Sequence, residues 1–151
     1  MKRWLILGAL ALLGGCAAQF NTFDFVVADG RHVISAVNAT GEVSNAGHLT
    51  VGDDQWGLMM DLQGLSPGSH TISPEVGEAV IWDKTTGNTY VASLGGICAV
   101  WVDPHGTANG SPVAGNFSCT GLRSAAGKQL DITSGDFEVP VNDPDNNPTL
   151  K

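Results

Sequence analysis

From Asn21 onward no stretch of this chain keeps a helical period for long; short runs of alternating apolar and polar residues recur instead. Phe23, Phe25 and Val27 form one such run, and Trp56, Leu58, Met60 and Leu62 form the cleanest. Alternation of this kind puts one set of side chains on a single face of a strand and the other set on the opposite face. The runs are separated by turn chemistry: Asp29-Gly30, Gly52-Asp53-Asp54, Gly64-Leu65-Ser66-Pro67-Gly68, Asp83 to Asn88 and Gly95-Gly96. Residues 38–47 read as loop. Leu130–Thr133 and Phe137–Val141 read as a last hairpin around a Ser134-Gly135 turn. Short strands with turns every roughly 8–12 residues are the mark of an all-β domain. The expectation is a single antiparallel β-sandwich of about 8–10 short strands, with a small β-barrel as the alternative. Its span is 23–141. Gly and Pro account for 20 and 7 of the 151 residues, which suits many turns and counts against a helical bundle.

The first sixteen residues read as an address. Lys2 and Arg3 are a positive n-region, and Trp4 to Leu13 is apolar but about half the length a spanning helix needs. Leu13-Gly14-Gly15-Cys16 follows at once and has the form of a bacterial lipobox, in which the cysteine is acylated and becomes the mature N-terminus. On this reading 1–15 is a lipoprotein signal peptide, Cys16 carries the lipid and 16–22 is a short tether. Ala17, where Asp would favour inner-membrane retention, points to the outer membrane of the cell envelope. The segment 142–151, rich in Asn, Asp and Pro, reads as a flexible tail.

Three cysteines become an even number once Cys16 is assigned to lipid. Cys98 and Cys119 are left as a pair in an exported, oxidising setting. If Ile97–Val102 and Val113–Cys119 pair as an antiparallel hairpin, alternation sets Cys98 opposite Cys119, Val100 opposite Phe117 and Val102 opposite Gly115. Directly opposed residues lie within disulfide range. A metal pair or redox dithiol is disfavoured, because there is no CxxC and no histidine at ligand spacing.

Charge narrows the partners. Seven basic side chains face fifteen acidic ones, and two of the seven lie in the signal segment. A nucleic-acid partner calls for a basic footprint, and none is present. An acidic domain suits instead a role as inhibitor or adaptor for a basic envelope or secreted protein. A glycan-binding role is the other alternative, with Trp56 or Trp101 as the stacking surface. No catalytic residues are assigned: His32, His48, His70 and His105 are scattered singly, and no G-x-S-x-G elbow exists. Asp53-Asp54 lacks the spacing of a calcium loop, so no metal or other cofactor is expected. The connection from Asp103 to Pro112 is the longest well-delimited loop between strands. It offers Asp103, His105, Thr107 and Asn109 as candidate binding groups on a rigid base.

Several segments taken together resemble a loose group of small bacterial lipoproteins: Leu65 to Ile72, Asn88-Thr89-Tyr90, Gly115-Asn116-Phe117-Ser118-Cys119-Thr120-Gly121, and Ile132 to Pro140 with its I-T-x-G-x-F-x-V-P pattern. The resemblance covers Phe23 to Val141. It implies one β-domain and carries no catalytic residues over. The leading expectation for the chain is a lipid-anchored envelope domain with a non-enzymatic binding or structural role.

Overall fold

The computed structural model describes residues 21–34 and 39–142. Cys16, the segment read as a signal peptide, nearly all of the segment read as a tether and the expected tail beyond Asn142 lie outside the described residues. Eleven strands make up the domain: β1 (Thr22–Val27), β2 (His32–Ile34), β3 (Thr40–Val43), β4 (His48–Gly52), β5 (Trp56–Asp61), β6 (Gly68–Ile72), β7 (Ala79–Asp83), β8 (Asn88–Val91), β9 (Ile97–Val102), β10 (Pro112–Ser124) and β11 (Gln129–Pro140). Among the described residues the helical content is one 3-10 turn at Ala92–Leu94. The fold is all-β, as the alternation predicts.

The strands form one antiparallel, strongly curled sheet in the order β2-β1-β11-β10-β8-β7-β5-β4-β3, with β9 and then β6 branching from β10. The branch exists because β10 serves two neighbours on the same edge. Its first part, Gly115 to Thr120, pairs with β9, and its last residues, Arg123 and Ser124, pair with β8. Between them the ladder with β11 shifts register and Gly121 takes a φ of 75°. A positive φ is open to glycine without steric cost, and register shifts bend a strand and sharpen its twist. The curl brings the far edge back: Val43 in β3 makes a parallel bridge to Val141, and the Asn142 N–H donates to the Val43 carbonyl at 2.8 Å.

Inside the curl the apolar halves of the alternating strands meet. Phe23, Phe25, Leu49, Leu58, Met60, Ile72, Ile81, Leu122 and Ile132 are all under 2% exposed. Each side chain of that size contributes roughly 1.5–3 kcal/mol by burial. Phe25 of β1 meets Trp56 of β5 edge-on at 5.3 Å, which joins the two ends of the sheet through the core.

Two segments depart from the expectation. Thr40–Val43, within the stretch read as loop, is a strand. Gly41 interrupts its apolar pattern for a packing reason: a Cβ there would stand 2.8 Å from Val51 Cβ and 2.9 Å from Val139 Cγ1. The turn expected at Ser134-Gly135 is absent, and β11 runs through it as one twelve-residue strand. The space beside Gly135 is filled from the neighbouring strand by the Phe117 ring.

Candidate functional site

The outer face of the part of the sheet made by β6, β9, β10, β11, β1 and β2 carries a continuous row of side chains. Alternation turns Val100, Phe117, Phe137 and Phe25 inward, so their neighbours in sequence face out. Register then aligns them across six strands: Ser69 opposite Trp101, Trp101 opposite Asn116, Asn116 opposite Asp136, Asp136 opposite Asp24, and Asp24 opposite Ile34. Trp101 and Ile34, 48% and 66% exposed, stand towards the two ends of the row. One step along the strands lie Thr22, Glu138 and Ala114. The Asp103 N–H donates to the Ala114 carbonyl at 2.9 Å and so brings Asp103 alongside.

Two shallow depressions lie along this row and share Asn116 and Asp136. One, of about 390 Å³, is lined by Ser69, Trp101, Asn116, Ser118, Ser134 and Asp136 among others. The second, of about 460 Å³, runs from Asn116 to Ile34 and is lined by four carboxylates, Asp24, Asp103, Asp136 and Glu138. No lysine or arginine lines either. His32 stands 3.8 Å from Asp24. Asp24 and Asp136 are directly opposed like charges, an arrangement that costs stability in a bare sheet.

A bulge shapes the first depression. The β1–β11 register shifts between Val26 and Val27, so that Thr133 has no partner in the ladder and both Thr133 and Ser134 face outward. The Thr133 hydroxyl donates to the Val26 carbonyl at 3.1 Å and fixes the bulge.

Cys98 and Cys119 are disulfide-bonded with Cα atoms 4.1 Å apart. Cys98–Cys119, Val100–Phe117 and Val102–Gly115 are the register pairs that alternation predicts. Both cysteines are buried beneath the outer row, so the bond ties β9 to β10 next to Trp101. Of the loop candidates, Asp103 lines the second depression. His105 turns back on its own loop, with Nδ1 2.8 Å from the Gly106 carbonyl and Nε2 buried without a hydrogen-bond partner. Thr107 and Asn109 are exposed on the loop and line neither depression. The four residues therefore do not form one site.

Trp56 is a core residue, 6% exposed, so of the two candidate stacking tryptophans Trp101 is the one at the surface. Asp53 is occupied by turn chemistry, its Oδ1 accepting from the N–H groups of Gln55 and Trp56 at 2.7 and 2.8 Å. The His70 ring nitrogens stand 2.9 and 2.7 Å from the carbonyl oxygens of Leu62 and Ser66, which pins the turn before β6. Among the described residues no three His, Cys, Asp or Glu side chains are placed to hold a metal ion.

The most buried carboxylate belongs to structure. Asp83, 4% exposed at the end of β7, accepts from the hydroxyls of Thr85 and Thr86 at 2.5 and 2.7 Å and from both of their N–H groups. Burial pushes its pKa up, and the four hydrogen bonds together outweigh burial and hold it below the usual carboxylate value. Burial, with the Asp83 charge, raises the pKa of the Tyr90 hydroxyl.

Asn116, Asp136 and Ser69 were not among the candidates read from sequence. Each is an outward position of a strand that alternation locates, but their alignment depends on β11 pairing with β1 and β6 pairing with β9. Those pairings join segments far apart in the chain, and no local signal announces them. Comparisons with protein-family models, with curated proteins and with solved structures gave no match.

Proposed function

We propose that this protein is a small bacterial lipoprotein of the group it resembles, anchored through Cys16 to the outer membrane of the cell envelope, with a non-enzymatic binding role. The anchor rests on the n-region, the apolar run and Leu13-Gly14-Gly15-Cys16. The binding role rests on one observation: the outward row from Ser69 to Ile34, in which an exposed indole and opposed carboxylates share one sheet face. Large apolar side chains and directly opposed like charges on one exposed face cost stability or solubility unless something uses them.

Intact-mass analysis of the protein extracted from membranes of its native host tests the anchor. The expected species begins at residue 16 and carries the mass of diacylglycerol and an N-acyl chain. An unmodified chain with any other N-terminus overturns it. For the binding role, the same protein is compared with a Trp101→Ala/Asp136→Ala variant for retention on outer-membrane vesicles and sacculi of the host. Equal retention of the two overturns the role of this face.

The four carboxylates of the second depression favour one further reading, an inhibitor or adaptor that captures a basic protein. Capture of that kind weakens steeply with added salt.

A further inference from the structure

The depression beside Trp101 differs in chemistry from its acidic neighbour. Its outward polar lining is hydroxyl and amide, from Ser69, Asn116, Ser118, Thr133 and Ser134, with one carboxylate, Asp136. The cross-strand neighbours of Trp101 are Ser69 and Asn116, side chains too small to cover an indole. Trp101 stays 48% exposed in consequence. Among the described residues neither Asp136 nor Asn116 spends its side chain on an intramolecular hydrogen bond or ion pair. The volume of about 390 Å³ lies within the usual range for small-ligand sites.

We propose that this depression is a saccharide subsite and that its ligand is a neutral pyranose within a glycan. The inference rests on the binding role argued above and names the ligand class of the same face. The face of an indole is electron-rich, so it attracts the weakly positive C–H face of a pyranose ring and shields it from water. An ionised carboxylate only accepts, so Asp136 calls for hydroxyl donors. The Asn116 amide and the serine hydroxyls both donate and accept, and a ring of hydroxyls answers each of them. Asp24, Asp103 and Glu138 in the adjoining depression repel anionic glycans and so limit the ligand to uncharged sugars. The alternative occupant, a cationic protein segment, matches the second depression but leaves the hydroxyl-lined wall around Trp101 without a purpose.

The experiment is a tryptophan-fluorescence titration of the exported protein purified from its host, in a detergent without a sugar headgroup. Chitotetraose, cellotetraose and maltotetraose are the probes, and octalysine is the rival. The expected result is a saturable change with at least one tetrasaccharide, unaffected between about 0.05 and 0.5 M salt. Trp101→Ala weakens binding at least about tenfold, Trp101→Phe weakens it less, and Trp82→Ala leaves it unchanged. Trp82 is the fitting control because it is also exposed but lies over Gly57 on a different part of the sheet. Asp136→Asn, which keeps the shape and removes the charge, weakens saccharide binding severalfold and guards against a folding defect in the Trp101 variants. If no tetrasaccharide binds, the saccharide assignment is overturned. Salt-sensitive binding of octalysine that needs Asp136 would then keep the face as a surface for a basic partner. No binding of either probe class would remove the binding role as well.

Discussion

The ring of Phe117 fills the space in which a side chain on Gly135 would stand, and on the paired strand Phe137 does the same for Gly115. A Cβ on Gly135 would lie 2.6 Å from Phe117 Cε1, and one on Gly115 would lie 2.6 Å from Phe137 Cζ. The two pairs are reciprocal: Gly115 is opposite Phe137 and Phe117 opposite Gly135. Gly115-Asn116-Phe117 and Gly135-Asp136-Phe137 are thus the same three-residue pattern run in opposite directions, and the middle residue of each projects outward into the proposed site.

Gly135→Ala is expected to destabilise the domain by about 1–3 kcal/mol, because the ring of Phe117 cannot withdraw without opening the core. Urea denaturation of the oxidised protein reads this as a lower midpoint. An unchanged midpoint would show that the ring has room to move.

Removal of the Cys98–Cys119 bond, which closes a span of 21 residues, is expected to cost about 3 kcal/mol on chain-entropy grounds. The Cys98→Ala/Cys119→Ala pair avoids leaving an odd thiol. Thiol labelling of the denatured wild type before reduction checks the premise, since neither cysteine should react.

Asp83 makes the domain sensitive to acid. Its pKa is depressed in the folded state, so its stabilisation is present above the unfolded value near 3.8 and is lost as pH falls through the lower folded value. Asp83→Asn should cost roughly 1–3 kcal/mol at neutral pH. It should also flatten the fall in urea midpoint between about pH 5 and pH 2. Parallel fall of wild type and variant would place the acid sensitivity elsewhere.

The two candidate tryptophans should separate cleanly in thermal melts. Trp56→Ala empties a core position against Phe25 and is expected to cost about 3–5 kcal/mol. Trp101→Ala removes a surface side chain and should stay within about 0.5 kcal/mol of wild type. A large loss for Trp101→Ala would mean that the indole serves packing.

Alternation made the β9–β10 hairpin legible down to its register, because Cys98, Val100 and Val102 share a period with Gly115, Phe117 and Cys119. It failed at Gly41 and Gly135 for one physical reason. A glycine in a strand reads locally as a break, yet here each gives way to a side chain from another strand: Val51 and Val139 in one case, Phe117 in the other. Asp103, His105, Thr107 and Asn109 share polarity and a long connection, but polarity in a connection carries no information about convergence. Asp103 reaches the face because its N–H continues the ladder to Ala114, whereas His105 folds back onto Gly106. The repeated G-x-F was the available signal for the β10–β11 pairing, since each glycine meets the other segment's phenylalanine only when the two run antiparallel.

β1 is the first strand of the domain and β11 the last, yet they are neighbours, and Asp24 and Asp136 face each other across their junction. A chain that emerges from a ribosome or a translocon one end first therefore holds half of this surface idle until β11 has emerged. Contacts of such high sequence separation form slowly. An intermediate that lacks β11 does not carry the complete row, so a ligand that needed Asp24 and Asp136 together would distinguish chains with β11 in place from chains without it.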